Sequence, residues 1–140
     1  MGGRTVKSFW PLVPAACCAV LFAGCGDGRM NTRGRIVKAG APFVVPEDDF
    51  VRVTFVPVLE NGQNPKTCYI AEYNNQEGTF KALGPNLRGI PKGKYRIAVA
   101  HERRRRDLFQ GAYDVEKSPF VFDIDSGTPE VVLDLDNPPK

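Results

Sequence analysis

The strongest constraint in this sequence is a two-residue alternation of apolar and polar side chains, repeated in short runs. In residues 94–101, Tyr95, Ile97 and Val99 alternate with Lys94 and Arg96. In residues 50–58, Val51, Val53 and Phe55 alternate with Arg52 and Thr54. Phe120, Phe122 and Ile124 alternate with Val121, Asp123 and Asp125, and Val131, Leu133 and Leu135 with Val132, Asp134 and Asp136. Side chains on a strand point to opposite faces in turn, so this period predicts strands with one buried face. Residues 33–39, 67–73 and 79–83 complete about seven strands. No window offers a sustained helical period; the nearest, residues 103–113, is interrupted by Gly111.

Turn residues punctuate these runs. Gly40, Asn61-Gly62, Asn64-Pro65, Gly78 and the glycines and prolines of residues 84–93 mark the connections. The chain holds 14 glycines and 12 prolines in 140 residues, with 42% hydrophobic and 25% charged residues. That balance excludes collagen-like, coiled-coil and wholly disordered chains. Strands at this spacing suit a sandwich or barrel. Pro57, near the end of its run, predicts an edge strand or a strand terminus.

Residues 1–24 follow a different pattern. Arg4 and Lys7 are followed by an uncharged run over residues 9–24, the layout of a secretory signal peptide. A membrane-spanning helix needs roughly 20 apolar residues; this run is shorter and carries Pro11 and Pro14. Leu21-Phe22-Ala23-Gly24-Cys25 resembles the lipobox of bacterial lipoproteins. The resemblance implies cleavage before Cys25, acylation of its thiol, and an extracytoplasmic protein held to the membrane by lipid. Residues 25–32 then read as the lipidated cysteine and a short tether, 33–136 as the domain, and 137–140 as an unstructured tail. Cleavage removes Cys17 and Cys18, leaving Cys68 as the one unmodified cysteine and no internal disulfide. It also removes two of the cations behind the formal net charge of +3. The domain then lacks the basic excess of a nucleic-acid-binding module.

Further matches run along the chain in order: Gly34 to Pro42, Val53-Thr54-Phe55-Val56-Pro57, Glu77-Gly78-Thr79-Phe80, Gly89-Ile90-Pro91, Gly93 to Val99, Tyr113, and Lys117 to Phe122. Together they resemble small bacterial lipoproteins with carboxypeptidase-regulatory-like, or transthyretin-like, domains. The resemblance implies an all-β fold, a seven-stranded Greek-key (prealbumin-like) β-sandwich, and no agreed enzymatic role. Tyr95, following the Gly93 turn, is expected to bond back to the backbone across a corner.

The inventory for chemistry is thin. One histidine, His101, and one unmodified cysteine, Cys68, give no zinc spacing. Asp123, Asp125, Asp134 and Asp136 alternate on strands and read as a solvated face rather than a calcium site. Neither Ser118 nor Ser126 sits in a nucleophile elbow. Hydroxyisourate hydrolases, which share a related sandwich, end in Tyr-Arg-Gly-Ser and use several histidines, and intradiol dioxygenases use two histidines and two tyrosines for iron; the lone His101 and the Asn-Pro-Pro-Lys ending supply neither set. No cofactor is implied. Cys68 is expected mid-strand as a small buried residue.

One run stands apart. Arg103, Arg104, Arg105 and Arg106 are adjacent, flanked by Glu102 and Asp107. Such a run faces water, either paired with nearby acids or in contact with an anion, since guanidinium forks suit phosphate and carboxylate. The expected function is a non-catalytic, lipid-anchored module that is structural or binds an envelope component or protein. The alternatives are a transthyretin-like small-ligand carrier, or an enzyme using Cys68 or His101.

Overall fold

The computed structural model describes Gly2, residues 28–128 and residues 130–140. Cys25, the rest of the expected signal segment and Pro129 lie outside them. The strands are β1 (Arg29–Met30), β2 (Thr32–Lys38), β3 (Ala41–Pro42), β4 (Phe50–Pro57), β5 (Tyr69–Asn74), β6 (Thr79–Ala82), β7 (Ile90–Pro91), β8 (Gly93–Arg103), β9 (Arg106–Asp107), β10 (Val121–Ile124) and β11 (Val131–Asp134). The described residues contain no α-helix; the one helical element is a 3₁₀ turn at Pro85–Leu87. The protein is all-β, and the expected alternation is the alternation seen.

The principal strands run in the order β10-β8-β4-β5-β6-β2-β11. Every pairing is antiparallel except β11 with β2. The sheet curls at β5. Its first half, Tyr69 to Ala71, pairs with β4, and its second half, Glu72 to Asn74, pairs with β6. A strand shared in this way lets two halves fold over one core. That core takes Val51, Val53 and Phe55 from β4, Tyr95, Ile97 and Val99 from β8, Ile36, Phe80 and Ala82 from β2 and β6, and Val131 and Leu133 from β11. Tyr95 makes the expected corner: its hydroxyl donates to Pro91 O at 2.6 Å, and burial pushes its phenol up to about 12.

Two expectations are corrected. Residues 29–32, expected as part of a tether, belong to the fold: Met30 pairs with Ile90, and Thr32 is buried at the start of β2. Met30 packs against the core, so ordered structure begins earlier than residue 33. Of the two readings of Pro57, the strand terminus holds: β4 lies between β5 and β8, and Pro57 is its last residue. Cys68 is neither in a strand nor buried. β5 pairs with β4 only from Tyr69, opposite Phe55. Continuing the ladder would set Thr67 against Pro57, which has no N–H to give, so the chain leaves the sheet before Cys68.

Candidate functional site

The arginine run forms a hairpin. β8 and β9 pair through Glu102 with Asp107 and Arg103 with Arg106, leaving Arg104 and Arg105 as a two-residue loop. Both loop residues take positive φ, 50° and 65°. That is the backbone pattern of a type I′ turn, where Asn-Gly is favoured because other side chains crowd the backbone. Arginines there cost of order 1 kcal/mol each, so the surroundings must hold the turn.

The hold comes from Asp49, which is 5% exposed just before β4. Its carboxylate receives Arg103 as a fork, Nε–H to Oδ1 and Nη2–H to Oδ2, both at 2.7 Å. His101 Nε2–H donates to Oδ2, also at 2.7 Å. An ionised carboxylate only accepts, which places a proton on that ring nitrogen. The Arg103 guanidinium, helped by His101, holds Asp49 down at about 2 against its own burial. The same pairing raises Arg103. Phe43 and Phe109 set their rings edge-on to His101, with centroids 5.4 and 5.8 Å away. Asp107 closes the other side of the hairpin. Its carboxylate accepts backbone N–H groups of His101, Phe109 and Gly111 at 3.1, 3.0 and 2.9 Å.

The four arginines therefore divide. Arg103 is committed to Asp49. Arg104, Arg105 and Arg106 are exposed, and no side-chain partner holds them among the described residues. The predicted run is one structural clamp followed by three free cations. His101 is buried within the clamp (8% exposed).

Asp49 supplies a pH test. Its folded-state value lies below an ordinary aspartate near 3.8, so its stabilising share is complete above about 4. That share is lost as pH falls through the folded value near 2. Asp114 and Asp134 are also held low, by backbone N–H groups of Lys117 and Asp136 first. Asp49→Asn isolates the Asp49 share. The stability gap between wild type and variant, measured by urea melts, is expected to narrow steadily between pH 4 and pH 2. A gap independent of pH would remove the ionic clamp.

Cys68 lies elsewhere. It lines a groove of ≈ 660 Å³ with Val56, Pro57, Lys66, Arg96 and Val115, on the outer side of β4 and β8. It follows that Cys68 and His101 do not share a site. Tyr69 stands opposite Phe55 and His101 opposite Val51, four residues apart on β4, or about 13 Å along the strand. Of the aspartates expected to form a solvated face, Asp123, Asp125 and Asp136 are exposed and Asp134 is half-buried. Asp125 and Asp134 cap turns, accepting N–H groups of Gly127 and of Asp136 and Asn137. Among the described residues, no group of three or more potential ligands could hold a metal ion. Cys25 lies outside the described residues.

Asp49 is the residue that sequence reasoning missed. It sits in a run of three acids, Glu47, Asp48 and Asp49, and nothing local separates it from its neighbours. Its partners are 52 and 54 residues away. Comparison with family models, with curated proteins and with solved structures finds no match to this chain.

Proposed function

We propose that this protein is a non-catalytic binding module, held by lipid on Cys25 at an extracytoplasmic membrane surface. In this reading its arginine hairpin contacts an anionic component of the cell envelope. The observation that carries the reading is the hairpin itself. Three unpartnered guanidinium groups stand on the hairpin, two of them on its strained turn, and a buried carboxylate braces its base. Strain held in place by a dedicated clamp marks a turn whose side chains matter. Arginine is suited to phosphate and carboxylate partners. The separation of Cys68 from His101 supports a module without nucleophile–base chemistry.

Two measurements test it. Intact mass and detergent partitioning of the protein from its native membrane, beside Cys25→Ser, read the anchor. A lipid-sized increment lost in the variant is the expected result; an unmodified soluble chain would remove the anchor. The hairpin is read by binding of two Cys25→Ser proteins to isolated envelopes, one of them also carrying R104E, R105E and R106E. Charge reversal is expected to weaken salt-sensitive binding at least about tenfold. Equal binding would leave the hairpin without a role.

A small-ligand carrier is the second reading. It is favoured by the groove beside Cys68, whose volume lies in the range of small-molecule sites.

A further inference from the structure

The outer surfaces of the two sheet halves differ. On β2, β6 and β11 the outward positions include Arg33, Arg35 and Lys81, with Val132 the one large apolar side chain exposed among them, as expected of a sheet face that meets water. On β5, β4, β8 and β10 the register places Ile70, Thr54 and Ala98 in one row, and Val56, Arg96 and Val121 in the next. Ile70 is 63% exposed and Phe50, at the hairpin end of β4, is 55% exposed. Val58, Leu59 and Val115 extend this surface around the groove. Ala98, within the first row, is buried, while Phe50, Val58, Leu59, Ile70, Val115 and Val121 are each more than a third exposed; exposed apolar side chains grouped with cations suit a docking surface.

We infer that this face lies against an anionic bilayer, with β8 running along the membrane surface. The inference rests on the anchored reading above. Gly28 lies beside the start of β8, where Lys92 N–H donates to Gly28 O at 3.3 Å. Two residues, Gly26 and Asp27, separate Cys25 from Gly28, a reach of at most about 10–11 Å. The arginine hairpin ends the same strand, about 33 Å away. An anchor at one end and three free arginines at the other set the strand parallel to the surface, because both ends then meet the same headgroups. A cationic contact at the far end adds to the hold of a lipid anchor and fixes how the domain lies. The carboxylates on this face are few. Glu102 is taken by Arg52 at 2.9 Å, Asp123 pairs in register with Lys94, and Glu116 stands at the rim of the groove.

Cys68 is a built-in reporter because it lines the groove on this face. The full-length protein from its native membrane is placed in detergent, in phosphatidylcholine vesicles, and in vesicles that also contain phosphatidylglycerol. Alkylation of Cys68 by a membrane-impermeant maleimide is followed by peptide mass and normalised to the outward-facing fraction. In the anionic vesicles the rate is expected to fall at least about tenfold below detergent, and less in phosphatidylcholine alone. The R104E, R105E and R106E protein, and separately Ile70→Ser, are expected to recover much of the rate. Melting curves check that each variant folds. Equal rates in all three media, with the lipid mass present on Cys25, overturn the surface and leave the anchor standing. Absence of the lipid mass overturns both. Slow alkylation already in detergent, with a doubled particle mass, assigns the face to a second copy of the chain and overturns the bilayer assignment.

Discussion

Replacing Phe80 by alanine is expected to cost about 3–5 kcal/mol and to lower the melting midpoint by roughly 15–30 °C. Phe80 is 1% exposed on β6. Its ring meets Phe55 from the opposite half of the sheet, edge-on at 6.0 Å, and lies over Gly34 of β2, its register partner. Truncation would empty the place where the two halves touch. Gly34, over which the ring lies, is held in ladders with β6 and β11, so collapse into the gap is limited. Circular dichroism melts of wild type and variant read the effect. A shift of only a few degrees would show that the core closes over the cavity.

Gly34→Ala is the complementary experiment. Gly34 has ordinary strand geometry, so its need for glycine is one of space. An added Cβ would overlap the Phe80 ring and the Val131 carbonyl, both well inside contact distance. Overpacking usually costs about 1–3 kcal/mol; here one obstacle is backbone, which cannot swing aside, and the cost is expected at or above the top of that range. The mechanism can be separated from loss of a ring contact. Pairing Gly34→Ala with Phe80→Leu relieves the ring overlap and leaves the Val131 carbonyl where it is. Partial recovery at most is expected, measured by urea midpoints. Full recovery would place the whole effect on the ring.

Both residues show what can be read locally. That Phe80 is buried follows from the short run of residues 79–83 and its alternation, because side-chain period is a local property of a strand. That Gly34 must be glycine does not follow, because the obstacle to a Cβ comes from β6 and β11, which are 46 and 97 residues later in register. Cys68 shows the same boundary. Its neighbours are strand-like in composition, yet the ladder ends because Pro57 on another strand cannot donate.

The hairpin divides in the same way. Four arginines in a β domain must face water, a conclusion that charge and desolvation cost alone support. Their different fates needed the fold: Asp49 reaches Arg103 only after β4 and β8 have paired, which brings Val51 opposite His101. An ion pair is set by distance in space, and residues 52 and 54 apart leave no local mark.

By itself the sequence determined the all-β character, the number of principal strands, most of their bounds and the inward residues, since each depends on a period of two and on local turn chemistry. Only the tertiary structure decided which strand would be shared between the two halves, which arginine would be bound and which would remain free, and which outer face would stay apolar. Those features depend on pairing between distant segments, and register is fixed by the whole core at once.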